Sequence, residues 1–211
     1  MGLLITRPEH DPGTRYLSRW SEKIIDEAVK KRVGVVDLNK TKAEQREFEG
    51  RVQKVNPKLV VLNGHGTDDM VMGHDNHPVV LDQNHALLKR RITYAVSCCS
   101  ARVLGRKVAD EESTYIGYVE DFVFMYDPKC VGKPFKDTRA ARYLEPSNHI
   151  PIAILKGHTA KEASEGAKAM LKKHIIELLA KPSDPDTIQD IKTLWWNFSH
   201  QVCLGKEDHR L

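Results

Sequence analysis

The chain has 211 residues, with 33 lysines and arginines against 29 aspartates and glutamates and a net charge of +4. That length supports one α/β domain with additions, and so small a charge excess, without a basic run, argues against a nucleic-acid tail. No apolar stretch reaches a membrane span. Cys98, Cys99, Cys130 and Cys203 lack framework spacing, and the amino terminus lacks the pattern of a signal peptide, so a cytoplasmic protein with free thiols is expected.

In chain order, residues 3–6 read as the first strand, closed by the turn-rich residues 9–13. A helix over 14–31 follows, with Leu17, Trp20, Ile24, Ile25, Ala28 and Val29 on one face. Residues 33–38 form the second strand, and a helix over 41–55 opens with Thr41 and Glu44 as a capping box. The third strand is 59–63. Residues 67–84 read as a hairpin, in which Val71-Met72 and Val79-Val80-Leu81 flank a turn-forming stretch. A short helix over 83–88 leads to a fourth strand at 92–97, a helix over 100–110 and a fifth strand at 114–118. Lys89-Arg90-Arg91, the densest basic cluster, is a solvated helix end.

Beyond residue 118 the alternation changes. An apolar stretch at 120–126 and a loop at 127–134 precede helices over 137–144, 158–180 and 187–202, with a break at 182–185. Strands alternating with helices predict an open, mostly parallel sheet sandwiched by helices. The organisation is thus an α/β core over 1–150 with C-terminal helices, 151–211, packed on it.

Two of these strands end in chemistry. Leu59-Val-Val-Leu-Asn-Gly-His65-Gly66 and Ile92-Thr-Tyr-Ala-Val-Ser97-Cys98-Cys99-Ser100 each run apolar into a potential base or nucleophile. In open parallel sheets such groups gather outside the carboxyl ends of the strands, so neighbouring strands would bring His65 to Cys98 or Cys99. A thiol attacks a carbonyl as thiolate, helped by an imidazole, and the resulting oxyanion needs donors such as an unencumbered Gly66 amide.

These residues resemble the caspase-like cysteine peptidases, the group with caspases, metacaspases, gingipains, clostripain, legumain, separase and CHAT domains. The resemblance spans roughly residues 1–125 and rests on a strand ending in His-Gly and a second ending in small-Cys-x-Ser. It implies peptide hydrolysis through an acyl-enzyme, with His65 as base and acid, a cysteine as nucleophile and Gly66 as oxyanion donor. The pattern of a small residue before the nucleophile and serine two after it selects Cys98. Cys99 is the alternative nucleophile, otherwise a small buried core thiol. Asp69, Asp121 and Glu120, near strand ends, are candidates to pair with a basic side chain of a polypeptide substrate.

His65, His74, His77 and His85 lie near the cysteines in sequence, but their spacing matches no tetrahedral ligand set, and no metal is expected. His10 carries no pattern. No Gly-x-Gly-x-x-Gly or P-loop follows the first strand, so no nucleotide cofactor is expected. Trp195-Trp196 reads as core or interface. Two other classes stand beside the peptidase: a catalytically silent or partner-activated scaffold of the same fold, and an acyltransferase or thiol hydrolase on a Rossmann-like sheet. The scaffold reading includes a regulatory protein partner, and none of the readings includes nucleic acid or membrane.

Overall fold

Alternation along the strands sets the layers. The computed structural model describes residues 2–180 and 184–211. Its first half comprises β1 (Gly2–Arg7), α1 (Pro12–Trp20), α2 (Glu22–Lys30), β2 (Gly34–Asn39), α3 (Gln45–Val55), β3 (Leu59–Asn63) and the hairpin of β4 (Val71–Met72) and β5 (Pro78–Val80). There follow β6 (Ile92–Val96), α4 (Leu104–Val108), β7 (Thr114–Tyr118), α5 (Thr138–Leu155), α6 (Ala160–Leu179), α7 (Pro185–His200) and β8 (Gln201–Gly205).

The main sheet has the order β2-β1-β3-β6-β7-β8 and is parallel except for β8, which runs antiparallel to β7. Leu3, Ile5, Leu59, Val61, Ile92 and Tyr94 face a layer containing Tyr16 and Trp20 of α1, Ile24 of α2, Ile154 of α5 and Ala167 of α6. The intervening Leu4, Val60, Leu62 and Ala95 face Phe48 and Val52 of α3, Leu104 of α4 and Val80 of the hairpin. Each fully buried Leu, Ile or Phe contributes roughly 1.5–3 kcal/mol relative to exposure. Central strands therefore read as continuous apolar runs.

Several elements differ from the sequence expectation, each for a local reason. The helix expected over 14–31 begins at Pro12, because Asp11 caps it, and divides at Ser21, whose hydroxyl donates to the Leu17 carbonyl at 2.8 Å. The capping box of Thr41 and Glu44 does not form. Lys40–Lys42 make a single 3-10 turn, Lys40 has φ +53°, and α3 starts after Glu44. The short helix before β6 is a 3-10 turn, His85–Leu88.

The helix expected over 100–110 shrinks to α4, since the Ala101 amide is taken by Tyr118 O and the Val103 and Leu104 amides by Asp68 O. The helix expected over 137–144 continues to Leu155 through Pro146 and Pro151. The last helix ends at His200, and Gln201–Gly205 forms the edge strand instead of a final helical turn. The boundary expected near residue 150 thus falls inside α5, and the C-terminal segment contributes a strand to the sheet. Of the expected break at 182–185, residues 182 and 183 lie outside the described residues. Among the described residues, no helix is long and apolar enough to cross a membrane.

Candidate active site

β3 and β6 are adjacent and parallel, with Asn63 opposite Val96, so the residues after them emerge side by side. Gly64 N donates to Val96 O at 3.3 Å, and Ser97 Oγ donates to His65 O at 3.0 Å. Two glycines make this closeness possible. At Gly64, φ is +151° and a Cβ would collide with the Met72 carbonyl of the hairpin; at Gly66 it would collide with Ser97 Oγ. Among the described residues the Gly66 amide donates to no backbone acceptor, and Gly66 stands next to, but does not itself line, the cavity that His65 and Cys98 share.

His65 and Cys98 line one small cavity of about 70 Å³, floored by Leu17 of α1 and walled by Phe122 and Phe124. His65 is half exposed, and its Nε2 lies 2.7 Å from Asp11 Oδ2. Asp11 is the N-cap of α1. Its Oδ1 accepts from the Thr14 amide at 2.8 Å, while its own amide donates to Thr14 Oγ1 at 3.2 Å. One carboxylate thus anchors a helix with one oxygen and a histidine with the other. Burial opposes ionisation of Asp11, but the Thr14 amide, His65 and His10 together hold its carboxyl below the ordinary range. An ionised carboxylate can only accept, so the His65 nitrogen that bonds Asp11, Nε2, is the one that carries a proton.

Cys98 Sγ lies 3.9 Å from Phe122 O. Burial, and next the charge of Asp121, push its thiol up to about 11. The sequence reading of Cys99 as a buried thiol at a helix start needs correction. Cys99 is partly exposed, sits in a left-handed turn at φ +58°, and lies 3.3 Å from Asp121 Oδ1. Its thiol is likewise pushed up to about 11, by burial and then by its hydrogen bond to Asp121. α4 starts five residues later. Cys98 shares the cavity with His65, whereas Cys99 faces the β7 loop.

Of the three acidic candidates, only Asp121 stands beside the sulfurs. Glu120 is ion-paired with Arg102, which also holds Asp68, and Asp69 accepts from Thr67 Oγ1 at 2.8 Å. Trp196 Nε1 donates to Asp121 O at 2.9 Å, so α7 supports the loop that carries Asp121. Trp195 and Trp196 are both substantially exposed rather than core residues.

The sequence reading missed Asp11 and His10. Asp11-Pro12-Gly13-Thr14 does carry an N-cap signal, but nothing local says that this cap faces β3. His10 packs edge-on against both His65 and His74, at ring separations of 5.7 and 5.5 Å. His77 reaches this group only through its backbone, its amide donating to His74 O at 3.0 Å, and His85 bonds Asp82 O at 2.7 Å. The chain matches no protein-family model, and no curated protein is significantly similar to it.

Proposed function

We propose that the chain is a cysteine peptidase of the caspase-like kind, with Cys98 as nucleophile and His65 as base. One observation carries the reading: adjacent parallel strands deliver His65 and Cys98 to one cavity, with Asp11 orienting the histidine. The Cys98 thiol would pass its proton to His65 Nδ1 as sulfur attacks the carbonyl carbon of the scissile bond. The Gly66 amide would donate to the oxyanion. Collapse breaks the C–N bond, protonated His65 gives its proton to the departing amine, and water then hydrolyses the thioester.

The raised thiol makes protonated Cys98 the resting form, so activation falls to the bound substrate. A basic side chain next to the scissile bond would neutralise Asp121 and ease thiolate formation, which supports a preference for arginine or lysine. A partner-activated scaffold is the second reading, favoured by the small volume of the cavity beside Cys98. Fluorogenic peptides with arginine, lysine, aspartate or leucine at that position test both. Turnover that disappears in Cys98→Ala supports the peptidase, and failure of all four favours the scaffold.

A further inference from the structure

The cluster around Asp11 has a composition that a histidine base does not need. His10 Nε2 and His65 Nε2 approach the same Asp11 oxygen, at 3.2 and 2.7 Å. One ligand atom from each of the three residues lies within 4.8 Å of the others. A tetrahedral zinc ion with bonds of about 2.05 Å separates its ligand atoms by about 3.3 Å, so small side-chain adjustments would suffice. Asn76 Oδ1 stands 3.3 Å from His10 Nε2, on the edge of this group. The His10 side chain is only 10% exposed, and its Nδ1 is buried without a hydrogen-bond partner among the described residues. This imidazole is therefore held inside the protein with Nε2 turned to Asp11 and Asn76, while the opposite nitrogen, Nδ1, is the unpaired one; His10 also belongs to a second grouping with His74 and Asp75.

We propose that His10, Asp11 and His65 bind a divalent transition metal ion of the zinc type, and that occupancy switches the thiol site off by taking His65 as a ligand. Two imidazoles and a carboxylate suit zinc, cobalt or nickel rather than magnesium or calcium, which favour all-oxygen sites. The exposed face of His65 gives the ion an entry path. Metal capture stands apart from the peptidase reading; only its inhibitory consequence rests on that reading. The set departs from the sequence expectation of no metal because it uses His10 and Asp11, which come from the loop after β1 and are remote from His65 in sequence.

The test is titration of chelator-stripped full-length protein with zinc chloride by calorimetry and with cobalt chloride by visible absorption. The expected result is one ion per chain, with a d–d spectrum of a four- or five-coordinate site. Affinity should fall about 10-fold or more in His10→Ala and in Asp11→Asn, which keeps the helix cap. Zinc should also protect His65 of the wild-type protein from diethyl pyrocarbonate, a readout that survives if His10→Ala fails to fold. Absence of stoichiometric binding, or binding unchanged in both variants with His65 unprotected, would overturn the site. Alkylation of Cys98 by a peptidyl chloromethyl ketone, with chelator and with zinc, separates the two readings. Labelling slowed by zinc supports the switch. Labelling unaffected by bound zinc overturns it, and no labelling even in chelator, beside intact metal binding, defeats the peptidase alone.

Discussion

His65 Nε2 and Asp11 Oδ2 lie 2.7 Å apart, which joins the end of β3 to the first turn of α1 through a single carboxylate. Asp11→Asn keeps an N-cap oxygen but loses the charge that sets the His65 tautomer. The expected outcome is a fall of about 10-fold or more in kcat, with KM little changed and an altered pH profile. Asp11→Ala should show the same kinetic loss and also cost about 1 kcal/mol of stability through the missing cap, read by thermal and urea unfolding.

Asp121 is the charge that faces both thiols, and a negative charge disfavours thiolate. In Asp121→Asn, both thiols should titrate below their value of about 11. The pH dependence of iodoacetamide alkylation, followed by peptide mapping, checks this: reaction at pH 8 should be faster in the variant than in the wild type. If Asp121 also receives a basic substrate side chain, the same variant loses its preference for arginine and lysine.

Gly66→Ala places a methyl against Ser97 Oγ and the Cys98 carbonyl. The expected cost is about 1–3 kcal/mol, with loss of turnover. Gly66→Ala with Ser97→Ala removes one of the two clashes, so the double variant should recover part of the melting temperature but not the activity. Equal melting temperatures for the single and double variants would show that Ser97 is not what limits space at Gly66.

Cys98→Ala should abolish turnover with little change in stability, because the side chain lines a cavity rather than filling the core. Cys99→Ala should remain active. The opposite pattern in peptide hydrolysis would move the nucleophile to Cys99, whose left-handed turn presents its sulfur to Asp121 instead.

Much of the parallel sheet was legible in the chain because its strands are buried on both faces and read as short apolar runs between turn signals. The juxtaposition of His65 with Cys98 followed from the adjacency of β3 and β6. β8 was not legible: Val202, Cys203 and Leu204 follow α7 without a turn signal, and what makes them a strand is the β7 edge. The Asp11 and His10 contacts were hidden for a related reason. Their local sequence specifies a helix cap, whereas their meeting with His65 depends on β1 lying beside β3.

The most direct measurement is intact-mass analysis of chelator-treated protein after brief exposure to peptidyl chloromethyl ketones bearing arginine, lysine, aspartate or leucine, with mapping of the adduct. An activated dyad gives one stoichiometric adduct, on Cys98, fastest with a basic side chain and lost in His65→Ala. Absence of an adduct, or indiscriminate labelling that includes Cys130 and Cys203 and persists in His65→Ala, would contradict the peptidase reading.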